Sequence, residues 1–95
     1  SDTEVVIKIV NQLITRYSAA LGSGARTREA RLEYNLVFSL KNKDMVSEKF
    51  FEVNRNQNYS FGESRILALE NEEEQIRDEF ILFASERIRW FIVNL

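Results

Sequence analysis

Residues 64–95, SRILALENEEEQIRDEFILFASERIRWFIVNL, decide the fold. Apolar side chains recur at helical spacing through Ile66, Leu69, Ile76, Phe80, Phe83, Ala84, Ile88, Phe91 and Leu95, which predicts one long helix from Ser64 to Leu95 with an oily side. That side has to be covered, and the segment able to cover it lies upstream. Ala30, Leu32, Tyr34, Leu36, Phe38 and Leu40 alternate with Arg31, Glu33, Asn35 and Ser39, the period-two pattern of a strand with one apolar face. Helix laid on sheet is the simplest arrangement that buries both surfaces. The predicted class is α+β: an antiparallel meander of three long strands with the C-terminal helix packed on one face.

The totals bound what such a body does. Ninety-five residues make one small domain, residues 1–95, and 44% hydrophobic residues supply a modest core. Thirteen basic and fifteen acidic side chains leave a net charge of -2, so no general field draws nucleic acid or an anionic membrane surface. With no Cys and no His, a disulfide framework, a thiolate zinc site, a Cys nucleophile and imidazole catalysis are all excluded within these residues. No apolar run approaches the roughly 18–20 residues that span a bilayer. The sequence carries no motif for a cofactor, a metal or a catalytic group. Gly22-Ser23-Gly24 lacks the spacing and the following lysine of a phosphate loop.

Residues 4–21 alternate as well, with Val5, Ile7, Ile9, Leu13, Tyr17, Ala19 and Leu21 on one parity. The β-branched load from Val5 to Val10 favours a strand over the helix that Val6, Val10 and Ile14 would also fit. Gly22 and Gly24 suit a hairpin reversal, Lys41 to Asp44 a second one, and a third strand is predicted from about Val46 to Tyr59 with Phe51, Val53 and Tyr59 inward. Phe50 and Phe51 are adjacent, so one faces outward unless a bulge intervenes. Ser60 or Ser64 is the expected N-cap, and Glu70, Glu72, Glu73 and Glu74 are read as complementing the helix dipole.

Two groups stand out as candidate contact residues. Arg26 and Arg28 share a parity beside the glycine turn, with Arg31 close by. Such a pair either grips phosphate bidentately or serves as solvated edge charge. Leu82 and Val93 are eleven positions apart, nearly the same direction on a helix, and interrupt its polar side. With Trp90 at the border of the oily stripe they form a candidate protein interface.

The runs LEYNLVFSL (Leu32 to Leu40), NYSF (Asn58 to Phe61) and ESRILALENEEEQIRDEF (Glu63 to Phe80), with the Gly-Ser-Gly turn followed by Arg26, resemble in order and spacing the C-terminal two-thirds of the LPS-assembly lipoprotein LptE, or rare lipoprotein B, family. The resemblance implies two helices on a four-stranded sheet and a non-enzymatic outer-membrane protein, lipid-anchored on the periplasmic face. It further implies a plug inside the LptD β-barrel that contacts lipopolysaccharide. Measured against that family, the chain is expected to lack the signal peptide, the lipid-bearing cysteine, the first strand and the first helix. Leu69 and Gln57 stand where members often carry basic residues, and Asn58 where they carry aspartate, so a phosphate contact at the helix opening does not transfer. The basic group of the first hairpin transfers to Arg26 and Arg28. The alternatives are a nucleic-acid-binding module using Tyr34, Phe38, Phe51 and Tyr59 as stacking platforms, or a protein-interaction module using a bare sheet face.

Overall fold

A computed structural model describes the backbone of residues 4–20, 27–62 and 66–95, and their side chains apart from 18–20, 27–28, 61–62 and 66–70. Three strands, β1 (Val5–Ala20), β2 (Thr27–Asn42) and β3 (Lys49–Gly62), precede one helix, α1 (Ile66–Val93). The strands form an antiparallel sheet in the order β1-β2-β3. Sixteen-residue strands run about 50 Å and a 28-residue helix about 42 Å. The molecule is accordingly a rod of 61 × 20 × 17 Å with a radius of gyration of 18.1 Å, against about 12 Å for a globular chain of this length.

The apolar face of β2 is the core. Ala30, Leu32, Tyr34, Leu36, Phe38 and Leu40 are all buried, joined by Val53 and Tyr59 from β3 and by Ile76, Phe80 and Ala84 from α1. Burying each large apolar side chain contributes roughly 1.5–3 kcal/mol. The helix lies along β2 and β3, with Phe80 stacked on Tyr34 at 5.5 Å between centroids. Nearer the helix C-terminus, Phe91 meets Phe51 at 4.4 Å and Phe38 at 5.9 Å. Tyr34 keeps its hydroxyl satisfied by donating to Gln12 Oε1 at 2.8 Å.

Several expectations are corrected. Pairing steps from Ile9↔Phe38 to Asn11↔Val37, so Val10 is an extra residue, a bulge that reverses the facing of everything after it. Ile7 and Ile9 stay on the helix side, whereas Leu13 and Tyr17, expected inward, lie on the opposite face. Gln12, Ile14 and Arg16 take their places. Strand β3 begins at Lys49 rather than Val46, and it pairs without a bulge, leaving Phe50 outward and exposed. Ser60 belongs to β3 and caps nothing, while Ser64 and the Gly22–Gly24 turn lie outside the described residues. The first turn of α1 carries no acid. The glutamates from Glu70 onward sit past the reach of the helix dipole, which fades within one turn. Ser39, though buried, keeps a polar partner, its hydroxyl donating to Glu48 Oε2 at 2.8 Å.

Two expected outcomes follow from this geometry. Deleting Val10 makes Ile9↔Phe38 and Asn11↔Val37 consecutive pairs and leaves Gln12, Leu13 and Tyr17 on the faces they already hold, so stability in urea unfolding should change by less than about 1 kcal/mol; a much larger loss would show that Val10 is not the extra residue. The second concerns alkali. Burial raises the pKa of Tyr34, and burial first, then the bond to Glu73, raises that of Tyr59. Groups raised in the folded state contribute stability that is complete below the ordinary tyrosine value of about 10 and lost as pH rises through the higher folded values. The urea midpoint should therefore fall as pH climbs past about 10, and fall less steeply in Tyr34→Phe.

Candidate functional site

The two ends of the rod differ. At the β1–β2 turn end, Arg28 registers with Ala20 of β1 and Phe61 of β3, at the last pairs of the sheet. Arg26 lies outside the described residues. Arg31, grouped with these two by sequence, has the opposite parity and points to the other face. There its guanidinium meets Glu33 at 3.1 Å and lies 5.2 Å from the Tyr17 ring centroid. Arg31 thus stands on the face opposite the register position of Arg28, whose side chain, like the whole of Arg26, lies outside what is described.

A polar link close to that end went unread in the sequence. Arg16 Nε donates to Glu73 Oε1 at 2.7 Å and to the Tyr59 hydroxyl at 3.3 Å, and Tyr59 itself donates to Glu73. Three elements, β1, β3 and α1, meet in this contact. The Arg16 pKa is raised chiefly by its bond to Tyr59, with a smaller opposing effect of burial. Opposite charges 57 positions apart carry no local signal; only the register created by Val10 brings Arg16 to the helix side.

On the outer side of α1, Leu82 (61%), Trp90 (51%) and Val93 (78%) are exposed, as is Ile81, which the sequence reading omitted. Trp90 is held edge-on to Phe91 at 5.2 Å, with the Arg87 guanidinium 5.2 Å from its ring centroid. Ile7 (45%) and Ile9 (53%) form a second apolar strip on the helix-side face of β1, because the helix lies over the other two strands.

The sheet face away from the helix is different in kind. Cross-strand rows place Leu13 beside Asn35 and Asn54, Thr15 beside Glu33 and Asn56, and Tyr17 beside Arg31 and Asn58. A depression of about 350 Å³ opens among the first two of these rows, lined by Leu13, Thr15, Glu33, Asn35, Asn54 and Asn56 together with Tyr34 and Arg55. Asn35 Nδ2 donates to Glu52 at 3.0 Å and to Asn54, and these amides lower the Glu52 pKa, Asn35 having the larger effect.

The stacking platforms of the nucleic-acid alternative are occupied: Tyr34, Phe38 and Tyr59 are buried and Phe51 packs on Phe91. Among the described residues no group of three acidic side chains converges on a possible metal position. No described helix is long and apolar enough to cross a membrane, which says nothing about β-barrels. A family model described as "LptE: Lipopolysaccharide-assembly" matches residues 2–90. No curated protein matches the chain.

For the three-element link, a double-mutant cycle on Arg16→Ala and Glu73→Ala should yield a coupling of about 0.5–1 kcal/mol, modest because Arg16 is partly in water. Additive effects would show that the contact contributes nothing.

Proposed function

The chain belongs to the LptE lipopolysaccharide-assembly family, whose model covers residues 2–90, and from that premise we propose that it works without catalysis, as a stiff insert. Its place is in lipopolysaccharide assembly, as part of envelope biogenesis, and this reading assigns it to the outer membrane. The finer reading is that it occupies the lumen of the LptD β-barrel, supports that barrel, and touches lipopolysaccharide as it passes. Attachment to the periplasmic side of the outer membrane through an N-terminal lipid anchor belongs to the same reading.

The observation that carries it is shape. A rod 61 Å long and about 20 Å thick, built from three strands and one helix with an aromatic core, suits a wide tubular cavity better than a flat docking site. Large barrels hold internal plugs. The exposed apolar side chains Leu82, Trp90 and Val93 are assigned to the barrel wall. An exposed Trp braced by Phe91 and Arg87 is the kind of large, pre-ordered anchor that interfaces favour. Arg26 and Arg28 are assigned to lipid A phosphates, since a guanidinium fork matches phosphate geometry. Leu69 and Gln57 offer no cation, which leaves this role to the arginines by the turn.

Replacing Arg26 and Arg28 together by glutamate should weaken lipopolysaccharide binding about tenfold or more at fixed moderate salt; unaltered binding removes the phosphate assignment. Leu82→Asp with Val93→Asp should lower co-purification with the barrel severalfold while the far-ultraviolet circular dichroism stays that of wild type. Full recovery of the complex would place the barrel contact elsewhere.

A further inference from the structure

Asparagine is a poor strand residue, because its short amide competes for the backbone hydrogen bonds that the ladder needs. Yet Asn11, Asn35, Asn54, Asn56 and Asn58 all sit inside strands, and their pairing places every one on the sheet face away from the helix. A merely solvated face is served better by Thr, Lys or Glu. Local rules broken together at one place mark a surface kept for something other than folding.

We propose that this face is a carbohydrate-binding surface, with the depression between Leu13, Thr15, Glu33, Asn35, Asn54 and Asn56 taking a neutral sugar segment. A primary amide presents donors and an acceptor in one plane, and vicinal sugar hydroxyls present the same mixture in return. Asn35, Glu52 and Asn54 are already hydrogen-bonded to one another, so their geometry is set before a ligand arrives and little ordering entropy remains to be lost. The Asn56 and Asn58 amides have no side-chain partner among the described residues. Leu13 supplies an apolar patch for the C–H side of a sugar ring, in a depression of about 350 Å³. Charge argues against a phosphate at the same spot. Arg55, which also lines the depression, carries its guanidinium to the helix side, 4.3 Å from the Phe83 ring centroid; the nearby Arg31 is committed to Glu33 and Tyr17, and the carboxylates of Glu33 and Glu52 repel an anion while accepting hydroxyl protons readily. The proposal rests on the reading that the chain handles lipopolysaccharide, and it divides that ligand: phosphates to the arginines by the turn, uncharged sugar to the amide face.

The test is a titration of the full isotope-labelled chain, followed through side-chain amide resonances, with two probes. One is an acyl-free, dephosphorylated core oligosaccharide; the other is diphosphorylated lipid A. The oligosaccharide should shift the Asn35, Asn54 and Asn56 amides saturably, and Asn54→Ala with Asn56→Ala should weaken it about tenfold while lipid A binding is unchanged. Asn56→Thr, which improves strand propensity, should weaken it severalfold in a protein that folds at least as well. The proposal is overturned if the oligosaccharide moves no resonance, if its shifts fall outside this face, or if the variants bind as wild type. Lipid A binding and barrel seating that persist without oligosaccharide binding would sink the carbohydrate surface alone. Oligosaccharide binding by a chain that neither seats in the barrel nor binds lipid A would sink the plug reading alone.

Discussion

Everything in the molecule depends on the apolar face of β2 being closed by α1. That strand carries alternating apolar residues from Ala30 to Leu40, each almost wholly buried, and they are covered from one side by Ile76, Phe80 and Ala84. Closure serves both elements: the sheet has one oily face to cover, and α1, with no acid in its first turn and no base in its last, draws its stability from packing rather than from its dipole. The Phe80 ring on Tyr34 and the Phe91 ring against Phe38 and Phe51 hold the two together at points well separated along the rod.

Much of this was legible in residue spacing. The period of two from Ala30 to Leu40 and the helical period after Ile66 are strong because each is enforced by burial on one side. The first strand was read correctly as a strand and wrongly in its facing, since one unpaired residue, Val10, reverses the parity of all that follows. A bulge has no sequence signature at Val10, the last residue of a Val- and Ile-rich run. The same insertion hid the link of Arg16 to Tyr59 and Glu73, because Arg16 has the parity of an outward residue until the register is known. Of the candidate contact residues, Leu82, Trp90 and Val93 were recognisable as interruptions in a polar helix face, and they are exposed. The amide face was invisible: its residues come from three strands, and only the pairing of Leu13, Asn35 and Asn54 brings them into one row.

The two sides of the sheet divide the labour. The helix side is closed by aromatic packing and bolted near one end by a charged contact, which makes the body stiff. The opposite side is mixed, with exposed Leu13, Tyr17 and Phe50 around a row of amides in which Asn35 bonds Glu52 and Asn54. A stiff body with distinct faces suits the insert proposed for this member of a lipopolysaccharide-assembly family, in which filling space and selective contact would be the work.

Native-state amide hydrogen exchange along the chain measures the closure of β2 by α1 directly. If the helix and the central strand share one core, the amides of residues 76–91 and of Leu32 to Phe38 exchange only through the same cooperative opening, with equal free energies and equal denaturant dependence. Helix amides that exchange through a separate, much less costly opening, while β2 stays protected, would show that the sheet holds together without its lid and would contradict the account.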